Sequence, residues 1–323
     1  MNSGIHQLTS IIVPTFNQHE LLSRLVTSLA HSLSASNCLA ELIIVDNRSD
    51  DPQALAYLEA LSGANSDSAF ESIKIIKYPY PFNYSAINNH AASLARGENL
   101  CFLNNDVEVI NNSWLTELLS HLDDPTTGCV GAKLYYPDDT IQHAGVVLGI
   151  EKVAGHIYKH APRTFSGHNG YLKQVQEVTA VTGACMVLKR SVFEKVHGFD
   201  EHLPVAFNDV DLCLRVRHAG YRIIWTPAAE LYHHESKSRG TRGRRTNDQL
   251  QQHKLELKYM HRKWGRLLKN DPCQPGPLHV AANEINSPDS VPGDRTTTFS
   301  TRITARFRQK LGRRLSKHCS TFK

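Results

Sequence analysis

The chain has 323 residues, enough to bury a large core, with 36 Lys and Arg against 31 Asp and Glu and a formal net charge of +5. Its composition is that of an ordinary globular protein, and no apolar run approaches the ~20 residues that span a bilayer. The charge is uneven: residues 296–323 hold eight basic groups and no acid, which leaves 28 basic against 31 acidic over residues 1–295. That near-neutral body carries no common recognition motif and argues against nucleic acid as a partner.

Residues 1–10 lack the basic and apolar segments of a signal peptide, so the expected compartment is the cytoplasm. Seven cysteines are scattered without a C-x-x-C pair. Those at 101, 129, 185 and 213 sit among apolar neighbours and read as reduced, buried small hydrophobes.

In chain order, apolar runs at 10–14, 41–46, 73–77, 99–103 and 129–134 predict strands. Between them, Leu21, Leu22, Leu25 and Leu29 form one helical stripe; Leu55, Leu58 and Leu61 form a second; Ile87, Ala91, Leu94 and Ala95 form a third. This alternation predicts an α/β protein whose mostly parallel sheet carries helices on both faces. A G-x-G-x-x-G turn is absent after the first strand, where Pro14, Thr15, Phe16 and Asn17 stand instead, so a nucleotide would be held differently from NAD.

Residues 136–175 are irregular and rich in Gly and His, with a hairpin expected through 145–150. A strand is predicted over 178–188, helices near 191–196 and 210–218, a strand at 221–225, a mobile basic loop at 237–245 and a helix over 246–268. These elements define a domain over 1–270. Residues 271–295 read as a linker or extended cover. In the basic tail, 296–323, Ile303, Phe307, Leu311 and Leu315 recur every four residues. The tail is therefore either an amphipathic helix on an anionic membrane surface or a solvated basic segment.

Three acids stand at candidate chemical positions. Asp106 follows Asn104 and Asn105 at the end of the strand 99–103, the edge of a parallel sheet where α/β proteins bind ligands. A carboxylate beside two amides suits a hard divalent cation; the same three residues also suit a plain turn. Asp46 closes the run LIIV and is placed either to accept from a base or ribose or to form a helix N-cap or Asx turn in DNRSDD. Asp209, in FNDVDLCLR, opens a helix, where its carboxylate can cap. Further on, YHHES places two imidazoles after a strand, and a neutral imidazole there could complete a site begun by Asp106. No spacing matches a closed zinc site.

In this order, SIIVPTFNQHELL, ELIIVDNRSDD, NNHAASLARGENLCFLNNDVEV, VTGACMVLKRSVFEKVHGFDE and FNDVDLCLRVRHAGYRIIWTPAAELYHHESKSRG resemble the family 2 glycosyltransferases of the GT-A fold, over about residues 9–239. The later KYMHRKWGRLLKNDP resembles bacterial members that build rhamnose-containing or O-antigen-type polysaccharides. The resemblance implies that Pro14, Thr15, Phe16 and Asn17 wrap the nucleotide and that Asp46 meets the base. Asn88 stands where relatives carry an Arg toward the pyrophosphate. Asn104-Asn105-Asp106 stands for the D-x-D motif, with Asp106 holding Mg²⁺ or Mn²⁺ and Asn104 near ribose or water.

It further implies that Gly183, Ala184 and Asn208 line the acceptor pocket and that Asp209 is the general base. Asn208 replaces the Glu usually before that base. His233 is the preferred metal ligand, ahead of His234. The implied reaction is inverting transfer from a nucleotide-sugar donor, UDP- or dTDP-linked, to a glycan or lipid-linked acceptor, with peripheral membrane contact through the tail. Two other classes share parts of the pattern: a sugar-phosphate nucleotidyltransferase, which would release pyrophosphate, and a catalytically silent nucleotide-sugar-binding homologue, which Asn at 104 and 208 would permit.

Overall fold

A computed structural model describes residues 7–36, 38–63, 69–235 and 246–273. The tail, the basic loop 237–245 and most of the expected linker lie outside the described residues. The first half alternates strand and helix: β1 (Thr9–Thr15), α1 (His19–Ser36), β2 (Ala40–Asp46), α2 (Pro52–Ser62), β3 (Ser72–Lys77), α3 (Tyr84–Leu94) and β4 (Asn99–Leu103). There follow β5 (Val107–Val109), α4 (Trp114–Ser120), β6 (Thr127–Tyr135), β7 (Ile141–His143), β8 (Val146–Leu148), β9 (Ala154–His156) and β10 (Gln176–Glu177). The described chain closes with β11 (Cys185–Lys189), α5 (Arg190–Lys195), α6 (Asn208–His218), β12 (Arg222–His233) and α7 (Asn247–Trp264).

The central sheet runs β10-β12-β6-β11-β4-β1-β2-β3, with β5 paired to β12 and β7 to β6. The half β4-β1-β2-β3 is parallel, as is β12 with β6, while β11 is inserted antiparallel between β4 and β6. Alternation along each buried strand divides the core into two layers. Ile12, Ile43, Val45 and Phe102 face α3, α5, α6 and α7; Ile11, Val13, Leu42 and Ile44 face α1, α2 and α4. Helices therefore cover both faces, as the sequence pattern predicts.

Local chemistry fixes the boundaries. Asp51 caps α2 by accepting from Ala54 N at 3.0 Å, with Pro52 beginning the helix, and Asn83 caps α3 by accepting from Ala86 N at 3.1 Å. Thr246 and Gln249 form a capping box at the start of α7. At the edge of the sheet opposite the site, the buried Glu41 accepts from Ser10 Oγ at 2.7 Å and pairs with Arg96 Nε at 2.9 Å. A Cβ on Gly97 would lie 2.5 Å from Ser10 N, so the chain crosses here only as glycine.

Two sequence expectations are corrected. The strand expected over 178–188 begins only at Cys185, because Gly183 and Ala184 spend their backbone groups on neighbouring side chains and loops. The strand expected to end at 225 continues through a register shift between Trp225 and Glu230 to His233. Asp271, at the start of the stretch read as a linker or extended cover, is buried and accepts from Leu148 N at 2.7 Å and Thr179 Oγ1 at 2.6 Å.

Candidate active site

The carboxyl ends of β1, β2 and β4 converge at one edge. Thr15 pairs in register with Asp46, and Asn105 Nδ2 reaches across to Thr15 Oγ1 at 3.0 Å. Beyond β1, Asn17 sits at φ 52° and knits its loop to the next one. Its Oδ1 accepts from Asp50 N and Asp51 N, and its backbone N–H donates to Ser49 Oγ at 2.8 Å. Asp46 Oδ1 accepts from Ser49 N at 2.9 Å, a cap-like bond three residues on that steadies the loop before α2. Pro14 is half-buried within β1, whereas Phe16 is 52% exposed. Asn47, which sequence reasoning passed over, is buried and donates to Tyr78 O and Tyr80 O, anchoring the aromatic loop before α3.

The position of Asp106 follows from strand pairing. It immediately precedes β5, whose register against β12 sets Val107 opposite His233, and His234 N donates to Asp106 O at 2.8 Å. Two-residue alternation then turns His233 inward and His234 outward. His233 Nε2 lies 3.0 Å from Asp106 Oδ1, while His234 Nε2 pairs with Glu108 Oε2 at 2.9 Å. Both members of the inner pair are buried. Asn104 Nδ2 lies 3.3 Å from the same His233 Nε2, and Gln142 Oε1 lies 2.7 Å from His233 Nδ1.

The second half of the site hangs on the segment before β11. Asp209, half-buried in the first turn of α6, accepts from Gly183 N through Oδ2 at 2.9 Å and from Val210 N through Oδ1 at 2.8 Å. The next residue, Ala184, accepts from Asn104 N at 3.1 Å. Two consecutive residues therefore join the Asp209 carboxylate to the Asn104–Asp106 turn. Gly183 O also accepts from Tyr84 Oη at 2.8 Å, and a Cβ on Gly183 would crowd that hydroxyl at 3.0 Å. Burial, with Asp209 nearby, raises the Tyr84 pKa far above its ordinary value, so the hydroxyl remains a donor.

Not every residue singled out from the sequence reaches the opening. Asn88 is fully buried inside α3 and donates to Tyr84 O at 2.8 Å, which withdraws it from a pyrophosphate. Asn208 is buried and accepts from Asp209 N at 2.8 Å, shaping the start of α6 instead of an acceptor pocket. Gly183 and Ala184 act through their backbones. A buried histidine pair escaped sequence reasoning: His143 Nδ1 lies 2.9 Å from His156 Nδ1, and burial lowers both pKa values, keeping both rings neutral.

Among the described residues, no group of three or more His, Cys, Asp or Glu converges as a closed metal cage. Asp106 and His233 nonetheless fit an open divalent site, because a carboxylate oxygen and an imidazole nitrogen, both common ligand types, stand 3.0 Å apart.

The mixed α/β sheet, with its carboxylate turn at the end of the fourth strand, is that of a GT-A fold, as its likeness to solved glycosyltransferases shows. Solved structures share it: GalNAc-T7 with UDP, GalNAc and Mn²⁺ aligns at TM-score 0.60 and 14% identity, covering 82% of this chain and 49% of that one. The mannosyltransferase PcManGT from Pyrobaculum calidifontis, in complex with GDP-Man and Mn²⁺, aligns at 0.54 and 17% identity, covering 79% and 70%.

The glycosyl transferase family 2 model matches residues 10–197, and the chain belongs to that family. An uncharacterized protein, y4gI, of Sinorhizobium fredii is 43% identical over 86% of this chain and 30% of its own length. The O-antigen biosynthesis protein RfbC of Myxococcus xanthus is 42% identical over 71% of this chain and 17% of its own. The chain thus spans less than a third of each of these two relatives.

Proposed function

We propose that the protein transfers a sugar, with inversion, from a UDP- or dTDP-linked donor to a hydroxyl of a glycan or lipid-linked acceptor in bacterial surface polysaccharide synthesis. The observation that carries this reading is the Asp106–His233 pair, held 3.0 Å apart at the carboxyl edge of the sheet and tied through Gly183 and Ala184 to Asp209. The O-antigen biosynthesis relative supports the polysaccharide context, and the neighbours crystallised with UDP or GDP-Man and Mn²⁺ support a nucleotide-sugar donor.

Asp106 and His233 would hold Mg²⁺ or Mn²⁺, which when bound supplies positive charge against the departing diphosphate. Thr15 and Asp46 border the nucleotide end of the edge, with the exposed Phe16 ring beside them. Asp209 takes the proton of the acceptor hydroxyl as its oxygen attacks the anomeric carbon. The bond to the diphosphate oxygen breaks on the opposite face, and one displacement inverts the centre. Its two backbone donors hold the Asp209 carboxylate in place.

No described helix is long and apolar enough to cross a membrane. Contact with a lipid-linked acceptor is assigned to the basic tail, 296–323. The test of the site is titration of UDP with and without Mn²⁺. Asp106→Ala is expected to lose the Mn²⁺-dependent part of UDP affinity, and equal Mn²⁺ dependence in the variant and the parent would refute the assignment.

A further inference from the structure

We infer that Glu256 is a positioning residue for the transfer step: from α7 it clamps the loop that leads into α6 and so fixes where the Asp209 carboxylate points. The inference deepens the function proposed above and rests on it for the role of Asp209. Both residues lie beyond 10–197, the part of the chain that the family model matches.

α6 begins without a side-chain cap. Its N-cap position is held by Phe207, whose side chain cannot accept a hydrogen bond and whose backbone stands at φ 61° and ψ 6°, in the left-handed region. A bulky residue keeps that conformation only where its surroundings impose it. The residues that follow depend on this turn. Asn208 Oδ1 accepts from Asp209 N at 2.8 Å, and Asp209 Oδ2 accepts from Gly183 N at 2.9 Å, so a change at Phe207 re-aims the first turn of α6 and the carboxylate it carries.

α7 supplies the constraint. Glu256 Oε1 accepts from Val205 N at 2.8 Å and from Ala206 N at 3.1 Å, the two residues just before Phe207. One turn earlier on the same helix, the His253 ring stacks on the Phe207 ring with centroids 5.6 Å apart. α3 holds the loop from its other end, where Pro204 O accepts from Tyr84 N at 2.8 Å and Leu203 O from Ser85 Oγ at 2.8 Å. Tyr84 and Ser85 thus fix where the loop starts, and Glu256 fixes how it enters α6.

Glu256 is a costly choice for packing alone. The residue is 1% exposed, and its Oε2 is buried with no hydrogen-bond partner among the described residues. A buried carboxyl group satisfied on one oxygen only weakens a core that an apolar side chain would fill better. An apolar side chain cannot accept from Val205 and Ala206. The residue therefore gives up helix packing to order the loop before Asp209, the kind of local conflict expected where function and stability compete. Glu256 touches no substrate in this role and acts only through residues 205–209.

The experiment compares the full chain with its Glu256→Ala and Glu256→Gln variants by amide hydrogen exchange in ¹⁵N NMR, by Tm, by UDP titration with Mn²⁺, and by nucleoside diphosphate release from UDP- and dTDP-sugars well below Tm. In Glu256→Ala the amides of Val205, Ala206 and Gly183 should exchange at least about 10-fold faster, while that of Ile12 in β1 keeps its protection. Its turnover should fall about 10²-fold, as for a misplaced reacting group, with UDP affinity within a few-fold of the parent. Glu256→Gln keeps an oxygen for both N–H groups but buries an amide nitrogen where Oε2 stood. Its Tm should drop while Gly183 protection and turnover return to within a few-fold of the parent. Unchanged exchange at Gly183 in Glu256→Ala, or turnover that follows Tm down in both variants, would overturn the inference. If Asp209→Asn keeps full turnover, or the parent releases no nucleoside diphosphate, while the Gly183 amide responds as expected, the role proposed for Asp209 falls and the clamp on its carboxylate stands.

Discussion

Lys263, on α7, provides the sharpest test of how the site is supported. Its Nζ lies 2.6 Å from Asp200 Oδ2 and 2.7 Å from Asp211 Oδ1, bridging the loop before α6 to α6 itself. Nearby, Glu256 of α7 accepts from Val205 N and Ala206 N, so one helix holds the whole approach to Asp209. In Lys263→Met two largely buried carboxylates lose a shared cation. Breaking a buried pair costs roughly 3–5 kcal/mol, but here each acid keeps other partners. Asp211 retains Arg215 Nε at 2.7 Å and Trp264 Nε1 at 2.8 Å, and Asp200 retains Tyr259 Oη at 2.7 Å.

The expected loss is therefore about 2 kcal/mol, or ~4–8 °C in Tm. The pH dependence has a defined sign. Burial pushes the Asp200 pKa up, but Lys263, Tyr259 and His202 outweigh it and hold the carboxyl well below its ordinary value. A depressed carboxylate stabilises the fold above its unfolded pKa and loses that contribution as pH falls through the folded one. The Tm gap between parent and variant should be full at pH 7.5 and smaller at pH 3.5, by thermal denaturation followed by circular dichroism. A gap under 1 °C at pH 7.5, or one that widens in acid, would refute the reasoning.

Asp209→Asn should lower turnover at least ~10²-fold while donor affinity, from UDP titration, stays within a few-fold; a parallel fall in both would make Asp209 a binding or capping residue. Deleting 296–323 should abolish salt-sensitive sedimentation with anionic liposomes and leave transfer to a soluble acceptor unchanged, and unaltered sedimentation would remove the tail as the anchor.

The parallel half of the sheet was legible because its strands are buried on both faces and read as continuous apolar runs, with helical stripes between them. The short elements were not: β5 has three residues and α4 seven, too few for either period to register. β12 was cut short in the reading because its register shift at Thr226–Ala229 interrupts the alternation before Glu230 resumes it.

At the site, the order of motifs pointed to Asp46, Asp106, Asp209 and His233. Only the β5–β12 register explains why His233 and not His234 meets Asp106. Asn88 and Asn208 were misplaced because a polar residue at a motif position looks the same whether it faces the opening or satisfies a helix backbone. Gln142 was invisible, since its contact with His233 joins residues 91 apart in the chain.

The central claim is glycosyl transfer through metal-assisted departure of a nucleoside diphosphate. The most direct measurement is ³¹P NMR of the protein with UDP- and dTDP-sugars, Mn²⁺ and a lipid-linked acceptor mimic, with the anomeric configuration of the product read by ¹H NMR. The account predicts release of the nucleoside diphosphate, dependent on Mn²⁺ and abolished by EDTA, and a product of inverted configuration. Release of pyrophosphate, retention of configuration, full activity in EDTA, or donor binding without turnover across the donors and acceptors tried would contradict it.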